Sequence, residues 1–368
     1  MRTELHDQIQ QAASRALAEH ASHQKRSLLL DQNKTYNPAL WNIIANDLGW
    51  FGLAIPEDDG GSGLGSEEIA LILEECGKNL ICAPVFESLA AIAIITRYAT
   101  LAQRRNFLPT LATGEKRASF ALSITADDQT TLPAKLTSPN HITGTAHHVP
   151  QADLADFIVT ATHSPTPQNP NRTQFAIVET TAPGVTITTQ DGFDPTRRLC
   201  HLTLTNTPAT ILGDPAADVR VVQNIRPTLE TYLAAEQIGI ASAMLDLTTE
   251  YVKTRTQFNR PIGSFQAIKH TLADMTLNLE AARSALMLAI ESPDDALSSA
   301  IALSTASDTA LLCTSEAIQL HGGIGFTWEY PAHFYFKRAR LNSLLLGTPE
   351  WLREQIAKSL FPELENNP

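Results

Sequence analysis

The chain has 368 residues, 43% of them hydrophobic and 18% charged, with a net charge of -12. That length supports two or three domains around a large core, and the composition is that of an ordinary globular protein. The acidic balance argues against nucleic acid and anionic membrane as partners.

The opening MRTELHDQIQ is too polar for a signal peptide, and no apolar run reaches 18 residues. A cytoplasmic protein is therefore expected. Residues 1–116 read as helical. Leu5, Ile9, Ala12, Ala13 and Leu17 make a first helix-period stripe; Leu40, Ile43, Ile44 and Leu48 make a second, ending at Gly49. The following GWFGLAIPEDDGGSGLG is glycine-rich but lacks the GxGxxG spacing and a strand–helix frame, so it reads as a connector between helices.

From residue 117 to about 222 the pattern changes to short strands, predicted at 120–125, 141–145, 157–161, 175–179, 185–188 and 202–205. Asp194, Pro195, Thr196, Arg197 and Arg198 read as a polar corner with a surface ion pair. His147 and His148 fall at a strand end and read as surface. From 223 to 368 the chain turns helical again. Runs at 228–253, 265–291, 294–321 and 350–360 suggest a bundle of about four helices. The fold class is α+β and multidomain: a helical domain, a β-domain, and a C-terminal bundle.

Chemistry concentrates in two stretches. Residues 251–270, YVKTRTQFNRPIGSFQAIKH, join two amphipathic runs through a turn holding Arg255, Gln257, Phe258, Asn259 and Arg260. Arginine suits a phosphate because its planar fork makes two parallel hydrogen bonds. A plain helical corner explains the same turn equally well on physical grounds. Other chemistries lack support. The eleven histidines show no metal-ligand spacing, so no metal site is expected. The four cysteines are scattered and read as reduced packing residues, and no Gly-x-Ser-x-Gly elbow is present.

With Leu272, Ala273, Asp274 and Met275 added, the first stretch resembles the flavin-binding turn of the acyl-CoA dehydrogenase family, YxxxRxQFGxPIxxFQxxxHxLADM. Residues 317–340, AIQLHGGIGFTWEYPAHFYFKRAR, resemble that family's AxQxxGGxGxxxExPxxRxxRDAR. The order helical, β, helical matches the family fold over nearly the whole chain. The resemblance implies an FAD enzyme. A carboxylate takes the α-proton of an acyl-CoA thioester, the β-hydrogen passes as hydride to the flavin, and an electron-transfer flavoprotein takes the electrons.

The resemblance also implies a cofactor shared between subunits. Carried over by position, Arg255 would pair with the pyrophosphate. Gln257, Phe258, Ile262, Phe265 and Ile268 would line the cofactor. Gln319, Gly322 and Gly323 would let backbone approach the phosphates, and Gly347 with Thr348 would finish the adenine end. The other half of the site departs from the family. The loop that touches the flavin ring has lost its Glu, Pro and glycines, leaving Ser123 and Thr125 as hydrogen-bond donors. Leu346 stands where most members carry the base. In a minority the base lies at the start of the long helix; that position is Leu229, with Glu230 one residue and about 100° further round. Glu230 is therefore the candidate base of this chain, or else a solvated carboxylate at a helix N-terminus.

The expectation is one subunit of a heteromeric α2β2 acyl-CoA dehydrogenase, resembling those of bacterial steroid or bulky acyl-CoA degradation, with the base on a related subunit. A self-sufficient homotetramer using Glu230 and a non-catalytic scaffold are the rivals.

Overall fold

A computed structural model describes residues 3–122, 133–164, 172–213 and 221–361. The chain forms two compact units. One comprises 1–33, 70–81 and 230–368, the other 34–69 and 82–229.

The helices of the N-terminal third are α1 (Glu4–His20), α2 (His23–Asp31), α3 (Pro38–Asn42), α4 (Ser66–Lys78), α5 (Val85–Tyr98) and α6 (Leu101–Ala112). Their starts follow from local chemistry. Thr3 and Thr100 make capping boxes with His6 and Gln103, which satisfies backbone donors left open by the first turn. The segment between α3 and α4 is a packed loop. Gly49 takes φ +63°, while Trp50, Phe51 and Ile55 are buried. A Cβ on Gly61 would stand 2.1 Å from the Ile55 carbonyl oxygen, so only glycine fits there. The loop is anchored by Arg104, whose guanidinium lies 3.0 Å from buried Asp59.

The second unit centres on an eight-stranded mixed sheet of β1 (Ala118–Ala121), β2 (Ala134–Ser138), β3 (His141–Pro150), β4 (Phe157–His163), β5 (Thr173–Glu179), β6 (Val185–Gln190), β7 (Leu199–Pro208) and β8 (Thr210–Ile211). The order is β6-β7-β3-β2-β4-β5-β8, with β1 parallel to β4. Ile142, Ile158, Val178, Cys200, Leu202 and Leu204 form part of its core. The strands predicted at 141–145, 157–161, 175–179, 185–188 and 202–205 are present; of that predicted at 120–125, Phe120 and Ala121 lie in β1 and 123–125 lie outside the described residues. β2, whose alternation is confined to Ala134 and Leu136, and two-residue β8 escape sequence detection because the pattern in each is too short.

The polar corner at 194–198 is not on the surface. Arg197 is 2% exposed and Glu87 is fully buried, with Nε and Oε1 2.9 Å apart. The Arg197 guanidinium also lies over the Phe86 ring. The surface reading fails because the partner carboxylate arrives from α5, far away in sequence.

The C-terminal helices are α7 (Val221–Thr254), α8 (Gln266–Glu291), α9 (Ala296–His321), α10 (Ala332–Leu345) and α11 (Pro349–Leu360). α10 was not predicted. It buries the polar His333, Arg338, Asn342 and Ser343 and exposes Leu344, so its inward face is not an apolar stripe that the sequence displays. α9 holds no unbroken apolar run of 18 residues, yet by mean hydropathy it is long and apolar enough to span a membrane. An 18-residue window within 296–326 has a mean hydropathy of 1.3, and 61% of it is buried inside the protein. It is a core helix, packed by α8, α10 and α11.

α7 and α9 run parallel and in register. Ser299 donates to Glu230, Gln237 to Ser307, and Tyr251 to the His321 carbonyl, pairs 69, 70 and 70 residues apart. α4 crosses α7 closely at two glycines. A Cβ on Gly77 would stand 2.0 Å from the Glu236 carbonyl oxygen, and one on Gly239 2.0 Å from that of Glu74.

Candidate functional site

The two motif stretches meet at one end of the α7–α9 pair. α7 stops at Thr254, and the chain folds into a small hairpin of β9 (Thr256–Gln257) and β10 (Arg260–Pro261). Its two central residues, Phe258 and Asn259, have φ +52° and +62°. Positive φ at both positions is the hairpin turn whose twist suits paired strands. Asn tolerates it readily, whereas Phe is strained there. The Ile262 amide donates to the Arg255 carbonyl at 2.8 Å and closes the loop.

The result is an open, polar and aromatic surface. Arg255, Gln257 and Phe258 are exposed, Phe258 to 85%, and Ile262, Phe265 and Ile268 are half-buried. Arg260 lies 3.9 Å from the Phe265 ring centroid, a cation–π contact that orders both side chains. α8 begins directly after Phe265 with no side-chain cap and no acidic residue in its first turn. Its free N–H groups and dipole add positive potential beside Arg255.

α9 ends at the second stretch. Gly322 takes φ +62°, ψ -142°, a conformation open essentially to glycine alone. A Cβ on Gly322 or Gly323 would meet nothing within 4 Å, so both present bare backbone to solvent. Exposed Gln319 lies one turn earlier. Tyr251 joins this segment to the hairpin: its hydroxyl reaches the His321 carbonyl at 3.4 Å, and its ring stacks 4.2 Å from that of His321.

His321, which no sequence signal singles out, is part of this joint. The side chain is 4% exposed and sits between the rings of Tyr251 and Tyr330. Burial lowers its pKa, so the ring is neutral. Nδ1 lies 2.6 Å from the Ala317 carbonyl and therefore carries the proton, leaving Nε2 as a bare acceptor. The spacing of Tyr251 and His321 repeats the offset of the helix pair.

The remaining candidates lie elsewhere. Glu230 is 2% exposed, in the third turn of α7, and its Oε2 accepts from Ser299 at 2.7 Å. The alternative of a solvated N-terminal carboxylate is thus wrong, because α7 starts at Val221 and Pro227 is inside it. About 30 Å of helix separates Glu230 from Tyr251, at 1.5 Å per residue. Thr348 caps α11, accepting from the Trp351 amide at 3.2 Å. The next carbonyl, that of Pro349, is 3.5 Å from Ser304 Oγ, roughly 25 Å along α9 from Gly322. The structure therefore brings Arg255, Gln257, Phe258, Gln319, Gly322 and Gly323 together, and places Glu230 and Thr348 toward the other end of the pair. Leu346 is 3% exposed. Ser123 and Thr125 lie outside the described residues. Among the described residues no group of three or more His, Cys, Asp or Glu is placed to hold a metal ion.

A helical–β–helical protein with an open, cationic and glycine-cradled surface at a helix turn is of the class that binds an anionic cofactor. Comparison with known proteins names the class. The family description "Acyl-CoA dehydrogenase, N-terminal domain" matches residues 3–115, and "Acyl-CoA dehydrogenase, C-terminal domain" matches 231–361. The acyl-CoA dehydrogenase IpdE2 of Mycolicibacterium smegmatis is 33% identical, over 95% of this chain and 96% of that protein. A variant of the Tcur3481–Tcur3483 steroid ACAD superposes with a TM-score of 0.88 at 28% identity, covering 99% of each chain. The ChsE4–ChsE5 complex from Mycobacterium tuberculosis shares the fold, with a TM-score of 0.89 at 23% identity over 100% of this chain and 99% of that one. The chain belongs to the acyl-CoA dehydrogenase family, a family of FAD-dependent oxidoreductases acting on CH–CH bonds.

Proposed function

We propose that this chain is a subunit of an FAD-dependent acyl-CoA dehydrogenase that forms the pyrophosphate and adenosine half of a flavin site held by a related subunit. One observation carries the reading. Leu346, a buried residue that cannot accept a proton, stands at the usual base position, while Arg255, Gly322 and Gly323 stay open to solvent. A residue set kept open at one end and an unreactive one at the other fits a half-site.

The residues fit the group. Arg255 supplies a bidentate cation, reinforced by the uncapped start of α8. Gly322 and Gly323 admit phosphate oxygens against backbone, and Gln257 and Gln319 offer amide donors. Phe258, Ile262, Phe265 and Ile268 give apolar cover. Ser123 and Thr125 remain hydrogen-bond donors for the ring. When bound, FAD accepts the β-hydrogen of the acyl-CoA as hydride. Arg255 and the glycines orient the cofactor from its phosphate end, and the partner subunit's carboxylate removes the α-proton. The acyl group is steroid-like or similarly bulky, by analogy with the relative named as a steroid ACAD. An electron-transfer flavoprotein takes the electrons, the assembly is α2β2, and its place is the cytoplasm, which suits four reduced, buried cysteines. The domain bounds that go with this reading are 1–116, 117–222 and 223–368.

Thr348 is some 25 Å from Gly322 and would serve a different flavin from the one that Arg255 grips. Glu230 supports a second reading. Its carboxylate is held by Ser299 at 2.7 Å, toward the end of α9 where Pro349 packs, and it is the base if the enzyme is a homotetramer.

A flavin spectrum with native mass, on the chain alone and co-expressed with a related subunit, separates the two. The half-site reading expects a colourless chain alone and a complex with about one FAD per pair of chains. A yellow tetramer of this chain alone, at about one FAD per chain, would overturn it. Glu230→Gln, expected to abolish turnover with flavin retained, would then test the second reading.

A further inference from the structure

Three histidines meet at one irregularity of the sheet. β3 and β7 pair antiparallel, with Ala146 opposite Leu202 and Val149 opposite Cys200, and the register shifts between Ala146 and Val149. Two residues, His147 and His148, therefore face one, His201. This is a β-bulge, which re-aims side chains. His148 takes φ +57°, a left-handed conformation that costs a residue with a Cβ about 1 kcal/mol.

The bulge brings His147 Nδ1 and His201 Nδ1 to 3.0 Å, with ring centroids 4.4 Å apart and planes at 53°. The His148 ring lies 6.3 Å from that of His147. His147 and His148 are exposed and His201 is half-buried, so solvent reaches the pair.

Two imidazole nitrogens this close repel unless something lies between their lone pairs. The bridge is one proton or one cation. Metal–imidazole bonds measure about 2.0–2.1 Å. Two such bonds at a right angle put the nitrogens about 2.9 Å apart, and at the tetrahedral angle about 3.4 Å. The observed separation matches the right-angle bite, which square-planar or tetragonal Cu(II) and Ni(II) favour.

We propose that His147 and His201 form a two-imidazole site for a divalent transition cation of the copper or nickel type. Water fills the remaining positions. On binding, both rings carry their N–H on Nε2 and turn the Nδ1 lone pairs to the cation, which replaces the Nδ1–H···Nδ1 hydrogen bond. The site belongs to the β-sheet unit and is independent of the flavin-binding residues.

The test uses untagged protein as it purifies, alone or with its partner subunit, titrated with Cu(II) and followed by calorimetry and electron paramagnetic resonance. The expected result is one centre per chain with two equatorial nitrogens. His147→Gln and His201→Gln are each expected to weaken Cu(II) binding roughly tenfold or more, with thermal melting in the absence of metal unchanged. His141→Gln, on the same strand but away from the bulge, serves as the control with unaltered binding. A spectrum lacking equatorial imidazole nitrogen, or equal affinity in wild type and both bulge variants, would overturn the site.

Discussion

Arg255 is the residue on which the proposed half-site rests. Its guanidinium stands exposed beside the uncapped start of α8, an arrangement suited to an anion. Arg255→Ala should lower the flavin content of the purified complex. Affinity should fall about 10- to 100-fold, the loss of a charge-assisted hydrogen bond of about 1.5–3 kcal/mol, as measured by flavin absorbance after dilution. Unchanged flavin content would favour the scaffold reading. Arg338 illustrates a different use of the same side chain. It is 1% exposed and lies 2.9 Å from the equally buried Glu236. Arg338→Ala should cost about 3–5 kcal/mol by removing the buried cation beside that carboxylate, whereas the double change Arg338→Met with Glu236→Leu should cost less than the single one; urea titration decides. His333 adds a pH dependence. Burial, then the charge of Lys337, depresses its pKa from 6.5 to about 4. The folded protein keeps the ring neutral while the unfolded chain protonates it. Stability present above about pH 6.5 is therefore lost as pH falls towards 4. The melting temperature should drop over that window, less steeply in His333→Gln.

At the scale of elements, the parallel register of α7 and α9 carries the geometry. It sets the hairpin and Gly322 at one end, and Glu230 and Thr348 toward the other. The register depends on close approach of α4 and α7 at Gly77 and Gly239, where any Cβ meets backbone at 2.0 Å. Gly239→Ala should destabilise the fold by about 1–3 kcal/mol through overpacking, read as a lower midpoint in denaturant. Gly322→Ala is a contrasting case. Space is free there, but the backbone conformation is strained for alanine by about 1–3 kcal/mol. Its effect should be local: flavin retention falls and far-UV circular dichroism stays as in wild type. A global loss of helix would contradict the open-cradle description.

Over the whole molecule, the order of helices, strands and helices was legible because hydrophobic period differs between the two classes. The motif residues were legible because glycine, proline and arginine at fixed spacing have few alternative uses. α10 was not, since its buried face holds His333, Arg338 and Asn342 while Leu344 is exposed, and the span-like stretch in α9 showed itself only as a core helix. Pairings remote in sequence were hidden too. The corner at Arg197 looked like surface until Glu87 arrived from α5. His147 and His148 looked like a strand end until the bulge set His201 against them. The sequence by itself determined the family, the two motif stretches around Arg255 and Gly322, and the absence of a carboxylate at Leu346, all local properties of residue type and spacing. Only the tertiary structure decided that Thr348 lies far from Gly322, that Glu230 is buried against Ser299, and that three histidines converge. Separation along a helix pair, burial and strand register are set by packing between segments, which no local pattern encodes.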